Sequence, residues 1–291
     1  MYIGTTNARS MGNWATRAQK LHHYKKQKNI DILVISKIQG FNTVEYSPLD
    51  PNPMNHPWSR QANLKSLWEK HVAIVALKPH IELEFSESLD NERIIIANAK
   101  DTKTNQKLRI IGVYISPQFD ECKLQWDTLD KIEMTTNTVI AGDFNTWTDK
   151  LQDTFPIRER THRKAATMLS FMSKKGLIFT LDEEDDGPAS LTRWAYDIDD
   201  TPIKGSRLDY ILVVGALAEI TSRSMVLTSS VSNHMIVVVQ IARPENSTRH
   251  KWSIMPATLR NIEWVRLMEK TIPSQMERLK KNIKNPILDG Q

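Results

Sequence analysis

One cysteine, Cys122, stands among 291 residues. It cannot close an internal disulfide and has no second thiol with which to hold a metal, so disulfide-framed secreted modules are excluded and an intracellular protein is expected. No run of eighteen apolar residues occurs, which excludes a membrane-spanning helix and leaves no membrane partner to expect. The opening MYIGTTNARSMG lacks the basic, apolar and small-residue regions of a secretory signal. Internal repeats and low-complexity tracts are also lacking. A large charge imbalance is missing too: the net charge is +5, with nine Lys/Arg against five Asp/Glu in residues 244–291 and thirty against twenty-nine in residues 1–243. The excess lies in the tail, and charge alone does not require a nucleic-acid partner.

What is present is enough to bury a sizeable core, with 40% hydrophobic and 25% charged residues. Short β-branched runs predict strands at 31–36, 71–77, 93–99, 108–115, 138–142, 208–214 and 235–242, several of them apolar throughout and so covered on both faces. Helical spacing marks 14–29, 124–132 and 163–176, the last ending on Gly176 where a helix stop is expected. Strands alternating with helices, some strands close enough to pair as hairpins, predict a layered α/β domain over residues 1–243 with helices outside two packed sheets. Proline-rich 47–61 and acidic 182–190 read as loops, and 244–291 reads as a basic, partly helical extension.

Polar residues recur at the ends of these strands. Asn7 follows MYIGTT, Tyr114 closes LRIIGVY, Asp143 and Asn145 follow TVIAG, Asp209 opens DYILVV, and His234 precedes MIVVV. Taken alone, GDFN is an ordinary tight turn. In extended chain, however, residues two apart share a face, so Asp143 and Asn145 could act together.

The motifs VYISPQ, GDFNTW, SRLDYILV and SNHMIVVV, in this order and at these separations, resemble the endonuclease/exonuclease/phosphatase superfamily of DNase-I-like fold. The likeness is nearest to the endonuclease domain of LINE-type (non-LTR) retrotransposons and spans residues 1–243. It implies a four-layer α/β sandwich, magnesium as cofactor, and hydrolysis of DNA phosphodiesters by an activated water. By the same likeness Asp143 activates the water with Asn145, and His234 donates to a phosphate oxygen while Asp209 fixes its tautomer. Asn7 orients the acids or touches the metal's shell, and Tyr114 hydrogen-bonds the phosphate. DNA is the implied partner, gripped through its phosphates, with a nuclear site of action. The stretch HKWSIMPATLRNIEWVRLMEK resembles the segment that leads to a reverse transcriptase, so a polymerase in cis is expected in full-length relatives and this chain is expected to be an amino-terminal portion or a truncated copy.

The sequence departs from the family at the metal. Where a Gln-Glu-Thr triplet supplies the ligating Glu, this chain has Ser36, Lys37, Ile38, and where Ser-Asp-His is usual it has Ser232, Asn233, His234. Together these changes move the pocket by three positive units. Each unit is worth about 4 kcal/mol at 4 Å and an effective dielectric of 20, and an ammonium has no oxygen to give magnesium. Metal affinity is therefore expected to be weak or lost. Three outcomes stay open: Lys37 binds phosphate in place of the cation, Lys37 swings aside from a weak metal, or the copy is a non-catalytic nucleic-acid-binding relic. A small-molecule or lipid phosphatase is a further alternative.

Overall fold

Strands that are apolar on both faces need cover on both faces, and the chain supplies it in layers. A computed structural model describes residues 1–9, 19–20, 22–24, 26, 30–38, 66–159, 162–180, 190–199, 201–222 and 224–242. Its elements are β1 (Tyr2–Asn7), β2 (Ile32–Ser36), β3 (Ser66–Trp68), β4 (Val72–Ala76), β5 (Ile81–Leu89), β6 (Ile94–Asp101), β7 (Lys107–Tyr114) and α1 (Phe119–Lys131). Then come β8 (Thr138–Asp143), β9 (Thr154–Phe155), α2 (Ala165–Lys175), β10 (Leu177–Phe179), β11 (Arg193–Tyr196) and β12 (Pro202–Ser206). Last are β13 (Asp209–Val214), α3 (Gly215–Ala218), β14 (Met225–Leu227) and β15 (Ile236–Gln240).

Two six-stranded sheets form, in the orders β14-β15-β1-β2-β4-β3 and β10-β13-β8-β7-β6-β5, with a small third sheet β11-β12-β9. Both large sheets are mixed, since β1 and β2 run parallel, as do β7 and β8, while their other neighbours are antiparallel. The alternation of side chains divides the core. Ile32, Val34, Val72, Ile74, Val237 and Val239 face the second sheet across the main core. Leu33, Ile35, Ala73, Val75, Ile236 and Val238 face outward into a second cluster with Tyr24, which lies among the helical residues 22–24. On the far side, Trp126 and Leu129 of α1 and Met168, Phe171 and Met172 of α2 cover the second sheet. The expected four-layer α/β sandwich is the observed architecture.

All seven expected strands form. The helix expected at 124–132 begins instead at Phe119, where Asp120 and Glu121 favour its first turn. Its buried face includes Gln125, whose amide accepts from Ser116 N–H at 2.6 Å and donates to Tyr114 carbonyl at 3.1 Å, so a polar residue interrupts the apolar stripe that marks a helix. Gly176 stops α2 with φ 63°, its N–H on Met172 and Ser173 carbonyls. Strand β5 carries no apolar run because it is an exposed edge strand, protected by glutamates. Most of 14–29, the loops 47–61 and 182–189, the boundary at 243 and the extension 244–291 lie outside the described residues.

Gly142 has φ 154°, and a Cβ there would stand 1.9 Å from the Val113 carbonyl oxygen of the neighbouring strand. Gly142→Ala is expected to cost on the order of 3 kcal/mol, read as a fall in Tm of roughly 6–12 °C for a domain of this size.

Candidate active site

The register of the second sheet assembles one row. Tyr114 on β7 pairs with Asp143 on β8, and Asp143 pairs with Asp209 on β13. In the first sheet, Asn7 on β1 pairs with Ser36 on β2. Packing of the sheets brings the two edges together, and Asn7 Nδ2 donates to Asp143 Oδ2 at 2.6 Å across 136 residues of chain. Asn7 is pinned in turn by Arg9 N–H on its Oδ1 at 2.7 Å and by Ser232 Oγ on its carbonyl at 2.7 Å. That serine also accepts from His234 N–H at 3.1 Å, which sets the imidazole at the mouth of β15.

His234 Nδ1 meets Asp209 Oδ2 at 2.7 Å, both groups fully buried or nearly so. Asp143, Asp209 and His234 offer ligand atoms within 4.8 Å of one another, a group that could hold a metal ion. Burial pushes the Asp143 carboxyl up to about 6, and repulsion from Asp209 adds to the shift. Burial alone would lower His234, yet Asp209, by charge and hydrogen bond, and Asp143 outweigh it and the imidazole is raised. The Tyr114 hydroxyl is also raised, by burial and by Asp143. Its ring is stacked on His71 at 5.9 Å, with the Arg93 guanidinium 5.3 Å from its centroid.

Asn145 joins the group by a different route from the one expected. Strand β8 ends at Asp143 and Asn145 lies in a left-handed turn with φ 45°, so the two are not alternate residues of extended chain. The turn lets Asn145 N–H cap Asp143 Oδ1 at 2.8 Å while its amide donates to Ile115 carbonyl at 2.7 Å. Lys37 follows Ser36, the register partner of Asn7, half-buried in a left-handed turn of φ 53°. Asn233 is half-buried with its amide on Trp194 carbonyl at 3.1 Å.

Two contributors escape sequence reasoning. Thr192 Oγ1 donates to Asp209 Oδ2 at 2.8 Å and accepts from Leu208 and Asp209 N–H at 2.9 and 3.1 Å. Nothing in SLTRW marks it, because its partner lies seventeen residues ahead. Arg207, which reads as a surface cation, is 7% exposed. It pairs with buried Asp153 at 3.1 Å, whose other oxygen accepts from Thr148 and Asp149 N–H at 2.8 Å each. This pair ties the loop after Asn145 to the strand carrying Asp209, and the only hint of it is that Arg207 lies within SRLDY.

Neither a family model nor a curated protein matches the sequence. Solved structures do. The endonuclease domain of TRAS1, a telomere-specific non-LTR retrotransposon, matches with TM-score 0.57 at 11% identity, covering 83% of this chain and 99% of that one. The 3'-5' exonuclease NExo from Neisseria meningitidis gives 0.63 at 21%, covering 84% and 100%. The Neisseria 3' phosphatase NExo bound to product DNA hairpin gives 0.61 at 19%, with the same coverage. The fold is the DNase-I-like fold.

In this DNase-I-like fold the residues present do not match the oxygen shell that magnesium prefers. One of the three candidate donors is an imidazole, and its Nδ1 is already bonded to Asp209 Oδ2. The position expected to bring a third acid carries the ammonium of Lys37. Asp209 Oδ1 and Asn233 Oδ1 are nonetheless buried without a hydrogen-bond partner, so an incoming donor or a weakly held cation would satisfy oxygen atoms the protein leaves unpaired.

Asp143 holds its proton more tightly when folded, at about 6, than in the unfolded chain, near 3.9. Its ionisation therefore weakens folding as pH rises from about 4 through 6. In EDTA, the wild type is expected to lose on the order of 3 kcal/mol of stability between pH 4 and pH 8 relative to Asp143→Asn, which lacks this ionisation, measured by denaturant unfolding. Thr192→Val leaves a buried carboxylate and two N–H groups short of partners, and is expected to lose on the order of 3 kcal/mol in the same measurement.

Proposed function

We propose that residues 1–243 are a retrotransposon-type endonuclease domain directed at DNA phosphodiesters, and that Lys37 and Asn233 impair hydrolysis in this copy. The observation that carries the reading is the convergence of Asp143, Asp209 and His234 with Asn7 reaching across from the opposite sheet. The TRAS1 domain and the DNA-bound NExo structure support DNA as the polymer involved.

The side chains divide the work of hydrolysis. An attacking water needs an acceptor for its proton, and Asp143, ionised above about pH 6, is the carboxylate held in place for it by Asn7 and Asn145. Charge that develops on the non-bridging oxygens needs donors. His234, kept cationic more readily by Asp209, supplies one, and the Tyr114 hydroxyl supplies another. A divalent cation, when bound, would add positive charge at the same oxygens. Here that contribution is weakened, because an ammonium and an amide stand where two acids are expected. The tail 244–291 then links the domain to a reverse transcriptase in full-length relatives. The second reading, a relic that binds nucleic acid without cutting it, is favoured by the same two positions.

A supercoiled-plasmid nicking assay with and without magnesium separates the two. The wild type is expected to nick at background rate, and Lys37→Glu with Asn233→Asp to gain magnesium-dependent nicking that Asp143→Ala abolishes. Nicking by the wild type in magnesium would refute the impairment, and silence of the double variant would favour the relic.

A further inference from the structure

Arg193 stands one strand away from the catalytic imidazole. It opens β11, where it pairs across the ladder with Ser206 of β12, and on its other side it forms an isolated antiparallel bridge with His234. Residues directly opposite in an antiparallel pair emerge on the same face with Cβ atoms about 4.5–5.5 Å apart. Thr154, Ser206, Arg193 and His234 therefore form one row across four chain segments, since Ser206 also pairs with Thr154. Thr154, Ser206 and His234 are buried, whereas Arg193 is exposed. Trp194 N–H on Asn233 carbonyl at 3.1 Å and Met235 N–H on Thr192 carbonyl at 2.6 Å fix the bridge on both sides, so the arginine is tied to the histidine by backbone.

The positive charge of Arg193 reaches His234, where it opposes protonation. Among the described residues no ion pair is made by Arg193. Asp209 and Asp143 answer the charge of His234, whereas Arg193 has no ionic partner of its own among the described residues, and an incoming anion supplies one. Because His234 is already assigned to the phosphate under attack, the charge on Arg193 is available for a neighbouring one. A guanidinium also offers a planar fork of N–H donors suited to phosphate oxygens.

We propose that Arg193 grips the phosphate adjacent to the scissile one, so that the site selects a polynucleotide strand over a phosphate monoester. The inference rests on the phosphodiester reading of the site and adds the residue that holds the flanking phosphate. A monoester has no second phosphate to offer, and a strand pays for its approach to the crowded row only if both phosphates are held.

The test is fluorescence anisotropy of the full chain with a labelled DNA duplex of fixed sequence, titrated at several salt concentrations in EDTA. One phosphate contact contributes about 0.9 to the slope of log K against log salt. Arg193→Gln is expected to lower the slope by about one and to weaken binding roughly 8-fold at 0.1 M salt, the loss that such a slope gives on extrapolation from 1 M. Arg193→Lys is expected to restore most of the slope. Lys103→Gln, an exposed cation in the β6–β7 turn at the other end of β7, is expected to change nothing. An unchanged slope in Arg193→Gln, or an equal loss in Lys103→Gln, overturns the assignment of Arg193 alone. Absence of salt-sensitive duplex binding by the wild type overturns the DNA reading as well.

Discussion

A single amide hydrogen, carried by Asn7 to Asp143 at 2.6 Å, joins the two sheets at the edge where the polar residues gather. Face-to-face sheets sit about 10 Å apart and are held by apolar contacts that have no direction. Such packing can slide; a short bond from a buried amide to a buried carboxylate cannot without leaving both unsatisfied. A second bond, from His234 beside β15 to Asp209 on β13, crosses at the same edge. Ser232 takes its position from the Asn7 carbonyl, His234 from Ser232, and Asp209 from His234 and Thr192.

The electrostatics of the cluster follow from burying like charges together. Two carboxylates share one region from which water is excluded, and the protein answers with an imidazole bonded to one of them and a proton held more tightly by the other. This compensation is internal. It leaves the group near neutrality once Lys37 is counted at the same strand end, and so removes much of the attraction that would draw in a divalent cation. Tyr114 is treated in a comparable way, clasped between His71 and Arg93 with Asp143 nearby.

Much of the arrangement is legible in the sequence because buried strands have to be apolar, and their ends are where polar residues can be placed without cost to the core. That is why Asn7, Tyr114, Asp143, Asp209 and His234 stand out. What is not legible depends on contacts between segments. Thr192 is an unremarkable threonine until it bridges Asp209 to the chain beside it, and Arg207 looks like a solvated cation until Asp153 is found under it. The left-handed turn at Asn145 is hidden for another reason: a strand and a turn place residues two apart close together by different geometries, and the letters GDFN permit both. The first turn of α1 escapes periodicity because its residues place nothing in the core before Cys122: Phe119 is exposed and Asp120 and Glu121 are charged.

The row that runs from Tyr114 through Asp143 to Asp209 is set by ladder pairing with one parallel and one antiparallel neighbour. A slip of either strand by one residue would turn every side chain of that strand to the opposite face. Alignment of these groups is thus set by backbone hydrogen bonds between strands, which most side-chain substitutions leave in place. The ladder fixes where Tyr114, Asp143 and Asp209 stand, so the outline of the cleft persists through many changes in the side chains that line it.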